Sequence, residues 1–151
     1  MEIRVDDLSG PEVRQLLTEH LDDMYATSPE ESVHALDLSE LQHPHITFWT
    51  IWEDNKLLGG GALKQLGNQE GEIKSMRTTE AARGKGVASI LLKHILETAK
   101  QQDIKKVSLE TGTQDFFAPA RKLYAKHGFE ECGPFADYQL DPHSVFMNKL
   151  L

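Results

Sequence analysis

Residues 72–111 restrict the fold more than any other part of the chain. A strand-like run, EIKSMRT (72–78), is followed by a glycine-bearing loop. A helix-periodic run comes next, in which Val87, Ala88, Leu91, Leu92, Ile95 and Ala99 recur at helical spacing. A second strand-like run, KKVSLET (105–111), alternates Val107 and Leu109 with polar neighbours. Strand, long helix and strand in that order predict a right-handed parallel crossover. Just upstream, ITFWTIWE (46–53) and KLLGGGALKQL (56–66) are joined by the polar pair Asp54 and Asn55, the pattern of an antiparallel hairpin. A parallel unit beside an antiparallel one makes a mixed α/β sheet.

The remaining elements fit around that centre. EIRV (2–5) reads as a short strand, and Ser9 as the N-cap of a helix that has Pro11 in its first turn and runs to about Tyr25. Residues 28–41 are predicted to form a second helix, ended by His43 and Pro44. Three glycines at 59–61 are expected to weaken or bulge their strand. Asp115 is expected to cap a short helix with Pro119 in its first turn and Gly128 past its end, and FEECGPF (129–135) and SVFMNKL (144–150) supply two final strands.

A length of 151 residues suits one domain with one core. The formal charge of -8 would repel a phosphate backbone and argues against nucleic acid as a partner. No apolar run approaches the roughly 18 residues a membrane span needs, and the amino terminus lacks a basic start or apolar signal core, so a cytoplasmic protein without a membrane partner is expected. The single Cys132 reads as a core filler, and His43 and His45 lack a third ligand at recognisable spacing, so no metal is expected.

The loop itself carries the chemistry. Amides at a helix amino terminus lack intrahelical partners and carry partial positive charge, and Gly84 and Gly86 let an anionic oxygen approach them closely. Arg83 and Lys85 add full charges, which suits a diphosphate better than one carboxylate. A plain structural turn is the alternative. An ATP-type phosphate loop is excluded because Gly86, not Ser or Thr, follows Lys85. A dinucleotide loop fits poorly, because Thr79 to Ala82 separate the glycines from the strand.

RGKGVA (83–88) looks like the [Q/R]-x-x-G-x-[G/A] motif, with Arg83, Gly86 and Ala88 at its defined positions, and LYAKHGF (123–129) is similar to an L-Y-x-x-x-G-F segment. Together, in this order and on these elements, they resemble the Gcn5-related N-acetyltransferases over almost the whole chain. The resemblance implies a GNAT-like fold: a mixed central sheet of about six to seven strands, splayed at its middle and flanked by about four helices. It implies acetyl-CoA as co-substrate and no metal. Backbone groups near Met76, Arg77 and Thr78 would bond the pantetheine arm, and amides of Arg83, Gly84, Lys85, Gly86, Val87, Ala88 and Ser89 would hold the pyrophosphate. Glu72, eleven residues before Arg83, matches a general-base position of the family, with Glu110 or water as alternatives. Tyr124 matches the tyrosine that stands near the coenzyme sulfur, and the Arg77 or Thr78 amide would stabilise the oxyanion. Where the family often has asparagine, seven residues before that tyrosine, this chain has Phe117, which would pack on the pantetheine or on the core.

The acceptor implied is a primary amine of a small molecule or peptide, attacked directly in a ternary complex. It would enter between the first two helices, the hairpin and the segment before the last strand, where Tyr138 or His143 could join the pocket. Glu19, Asp22, Asp23, Glu30 and Glu31 would make that entrance acidic and attractive to a cationic amine, or else form a solvated face. A monomer or homodimer is expected. A non-catalytic acyl-CoA-binding or sensing module, and an O-acetyltransferase, remain open alternatives.

Overall fold

The protein is described here by a computed structural model covering residues 1–34 and 36–151. Its strands are β1 (Glu2–Val5), β2 (Ile46–Glu53), β3 (Lys56–Gly67), β4 (Glu70–Thr78), β5 (Lys106–Gly112), β6 (Glu130–Cys132) and β7 (Ser144–Leu150). Helices α1 (Pro11–Thr27), α2 (Leu38–Leu41), α3 (Val87–Gln101) and α4 (Ala118–Lys126) lie between them. The strands form one seven-stranded sheet in the order β1-β2-β3-β4-β5-β7-β6. Among the described residues only the β4–β5 pair is parallel, as expected of a crossover through α3. The hairpin turn is the two-residue kind, with Asp54 and Asn55 both at positive φ, 51° and 63°.

Alternation along each strand sends side chains to opposite faces. Trp49, Ile51, Leu63, Ile73, Val107 and Leu109 face α3 and form the main core with its buried stripe. Leu91, Leu92 and Ile95 of α3 are all 0% exposed, each contributing about 1.5–3 kcal/mol of burial. Phe48 and Ala62 point the other way and pack with Leu8, Val13, Leu17 and Leu41 under α1. The two layers therefore clamp the sheet from both sides. One glycine of the 59–61 run is explained by that packing, because a Cβ at Gly61 would overlap Met76 Sδ.

Three local expectations are corrected. Gly10, not Ser9, is the N-cap of α1; the Ser9 hydroxyl donates instead to Asp7 Oδ1 at 2.6 Å. The helix expected over 28–41 does not run through: a 3-10 turn at Glu30–Ser32 is followed by extended Val33, and α2 starts afresh at Leu38. Residue 35 of that stretch lies outside the described residues. Asp37 and Glu40 close a reciprocal capping box at the start of α2, a start signal inside the span read as one helix. Asp115 opens a 3-10 turn, Asp115–Phe117, without capping α4 through its side chain.

Among the described residues, no helix is long and apolar enough to cross a membrane.

Candidate active site

The sheet opens at its centre. β4 and β5 pair only at Glu70 with Lys106, Gly71 with Val107 and Glu72 with Ser108. Beyond that point β4 continues against β3 and β5 against β7, so their facing edges diverge. A bulge in β4 helps bend it away: Ala62 pairs with Lys74 and Gly60 with Arg77, leaving Ser75 and Met76 opposite Gly61. Ser75 sits at φ 56°, a left-handed conformation a serine adopts at a cost of about 1–3 kcal/mol. On the other side of the opening, Phe117 lies so close to Gly112 that a Cβ there would overlap its ring.

A cavity of about 660 Å³ fills this opening. Glu72, Met76, Arg77, Thr78, Arg83, Gly84, Gly86, Val87, Ala88, Ser89, Phe117 and Tyr124 all line it, as does the alternative base Glu110. Lys85 is exposed and is not part of the wall. At the cavity mouth, Gly84 and Gly86 both adopt φ 77°, which turns the chain into α3 at no steric cost. Ile90 N–H, bonded to Gly86 O at 3.1 Å, is the first to close on the helix. The amides of Val87, Ala88 and Ser89 therefore have no partner in a preceding turn.

The opposite end of the cavity lies on the face that carries α1. Glu72 is 2% exposed and its Oε2 accepts two hydrogen bonds, from Lys74 Nζ at 3.0 Å and from Tyr138 Oη at 2.5 Å. Lys74 Nζ also donates to Tyr138 Oη at 2.7 Å. Tyr138, from the segment before β7, backs the wall residues Glu72 and Lys74 without lining the cavity itself, and Phe135, Phe146 and His34 hold its ring. Burial, and next the Glu72 charge, push the Tyr138 phenol above its ordinary range, so it remains a donor. The Glu72 carboxylate is thereby committed to an ion pair and a phenol. His143 lines the cavity directly.

Glu110 differs. Burial pushes its carboxyl up to about 7, opposed by the Ser144 hydroxyl and the Lys74 charge and reinforced by Glu72 and Asp141. Tyr124 is 6% exposed and burial, then Glu110, hold its phenol well above the usual range. His20, on α1, is kept neutral near pH 7: burial first and Arg77 second bring it down to about 4.

The acidic wall expected at the entrance is mostly on the outside. Glu19, Asp22, Glu30 and Glu31 are exposed and do not line the cavity, and Asp23 is bound to Arg77 at 2.8 Å. The sequence offered no signal for the Ser75 bulge or for the Lys74–Tyr138 contact, whose partners are 64 residues apart. His20 comes to the cavity through the docking of α1.

The buried Glu72–Lys74 pair makes a stability prediction. Their side chains are 3% and 8% exposed, and removing one partner strands the other charge in the interior. Lys74→Met should cost about 3 kcal/mol at pH 7, read as a lower urea midpoint, and Glu72→Gln in the same chain should restore part of it. An unchanged midpoint in the single variant would contradict the pairing.

The acetyltransferase (GNAT) family matches this chain over residues 13–129. The uncharacterized N-acetyltransferase YsnE of Bacillus subtilis (strain 168) is 53% identical over 151 residues, covering 100% of both chains. The uncharacterized N-acetyltransferase YedL of Escherichia coli (strain K12) is 50% identical over 149 residues, covering 99% of this chain and 94% of its own. Among solved structures, a candidate acyl-CoA N-acyltransferase from Klebsiella pneumoniae subsp. pneumoniae MGH 78578 superposes with a TM-score of 0.81 at 27% identity, covering 99% of this chain and 97% of that one. A Bacillus subtilis acetyltransferase solved in complex with CoA shares the fold, with a TM-score of 0.70 at 18% identity over 99% of this chain and 98% of that one.

Proposed function

The chain belongs to the acetyltransferase (GNAT) family, and from that membership we propose that it moves an acetyl group from acetyl-CoA to a primary amine, by direct attack in a ternary complex. The observation that carries this reading is the opening between β4 and β5, with the free amides of α3 at its mouth. A long thioester fits such a place: unpaired strand edges suit the amides of its arm, and the amides of residues 84–89 with Arg83 suit its diphosphate. Acetyl-CoA, when bound there, supplies the activated acetyl group.

The chain's own residues then divide the work. Glu110, with its carboxyl pushed up to about 7 by burial, takes the proton of the incoming ammonium. We give it this role in place of Glu72, whose carboxylate charge is already held by Lys74 and the Tyr138 phenol. The amide of Arg77 or Thr78 donates to the oxygen on which negative charge develops. Tyr124 stands as donor to the departing sulfur. Phe117, 6% exposed, packs against the arm and keeps water out.

The direct test is an acceptor screen with mass-spectrometric detection of acetylated product and a parallel assay of released thiol. Transfer to at least one amine is expected; tight coenzyme binding with no product for any acceptor would favour a sensing module. The loop makes its own prediction. Gly86→Val forces a branched side chain into φ 77°, strain of about 1–2 kcal/mol. Relaxing it turns the amides away, so calorimetry should find coenzyme A bound about tenfold more weakly. Unchanged affinity would separate the loop from the diphosphate.

A further inference from the structure

On the α1 face of the cavity the charges meet as pairs, and one pair is incomplete. Arg77 binds Asp23 through Nη2 only, while its Nε is buried without any hydrogen-bond partner. The Arg77 side chain is 11% exposed and lines the cavity that Glu110 also lines. An ionised donor sealed from water without an acceptor is costly, and native structures retain such groups where a ligand completes them.

A further observation describes that ligand. The cavity that Arg77 lines also carries the Glu110 carboxylate, so the chamber offers an unmet cationic donor together with an acceptor. Asp23 does not cancel the guanidinium field, because Arg77 still helps to hold neighbouring His20 in its neutral form. A purely cationic amine would satisfy Glu110 and leave Arg77 Nε as it is.

We propose that the acceptor is a small amine bearing its own carboxylate, an amino acid or close analogue, and that Arg77 selects it by donating from its incompletely paired guanidinium to the carboxylate. The amine half rests on the acetyl-transfer reading; the carboxylate half rests on Arg77. Planar guanidinium donors match a carboxylate's oxygens better than a lysine does. An N-terminal peptide amine has no carboxylate beside it and is disfavoured.

The test pairs free amino acids with their carboxamides and their decarboxylated amines, using calorimetry on the full chain with and without coenzyme A, and turnover with acetyl-CoA. At least one free acid should bind or react about 30-fold better than its amide and its decarboxylated partner. Arg77→Met should erase that difference and Arg77→Lys should keep part of it; should neither variant fold, the acid-to-amide ratio in the unaltered protein decides. Amides and amines that perform as well as the acids, or a panel in which no acid binds or reacts, would overturn the proposal. An acid that binds with this preference and yields no acetylated product would sink the transfer reading and leave carboxylate recognition standing.

Discussion

Glu110→Gln should lower kcat by about three orders of magnitude, within the range a positioned general base contributes, and leave coenzyme A affinity within about twofold. The reason is position combined with environment. Glu110 lies on β5 past the last residue paired with β4, where the cavity begins, and its carboxyl is pushed up to about 7 by burial. A carboxylate of ordinary strength is a poor match for an ammonium whose pKa is about 8 to 10; one near 7 is closer to the task. In the unaltered protein kcat/KM should rise with pH through an inflection near 7 as Glu110 ionises, and in the glutamine variant that limb should vanish.

The same displacement makes a stability prediction of opposite sign. The folded-state value of about 7 lies above the ordinary carboxyl value of 4.5, so folding disfavours the ionised form. The stability contributed by the neutral carboxyl is fully present below about 4.5 and is lost as pH rises through 7. At pH 8 the glutamine variant should therefore be more stable than the parent, by up to about 3 kcal/mol, and this gain should disappear near pH 4. Activity falling while the melting temperature rises is a signature that general damage to the fold cannot produce. If Glu72→Gln instead removed the inflection near 7, the base would have to be reassigned to the ion-paired carboxylate.

What could be read in advance follows from how far apart the cooperating residues stand. The hairpin was legible because its two central residues, Asp54 and Asn55, are types that tolerate the left-handed turn they adopt. The crossover was legible because the α3 stripe Val87, Leu91, Leu92, Ile95 and Ala99 repeats at one spacing and is buried as one surface. The turn into α3 was legible because Gly84 and Gly86 are the residue type that φ 77° favours. The acceptor end was legible only in part, through the resemblance that brought Tyr138 or His143 to it, and His143 lines the cavity. Its Glu72, Lys74 and Tyr138 cluster depends on a segment that returns from 64 residues away, and no local pattern encodes such a meeting. The bulge at Ser75 escaped for a different reason: serine carries no preference for φ 56°, and the surrounding packing imposes it. The acidic wall failed because charge counted along a helix ignores which face is inward, and packing turned the uncharged His20 toward the cavity while leaving Glu19 and Asp22 outside.

Tyr124→Phe should reduce kcat by two to three orders of magnitude with the KM for acetyl-CoA changed by no more than about threefold. The substitution keeps the buried ring, which packs edge-on against Phe129 at 5.7 Å, so the fold should survive and only the hydroxyl is lost. That hydroxyl is a reluctant acid. An ordinary phenol, near 10, already lies above a thiol near 8.5, and burial with the Glu110 charge moves Tyr124 further in the same direction. Complete proton transfer to the departing sulfur is therefore uphill, and the phenol acts by donating a hydrogen bond as negative charge gathers there. The distinction is measurable. A leaving thiol that is more acidic needs less help, so the penalty of Tyr124→Phe should shrink with an acetyl donor of that kind. An equal penalty for both donors would assign Tyr124 to shaping the cavity, and an unchanged rate would remove it from the reaction.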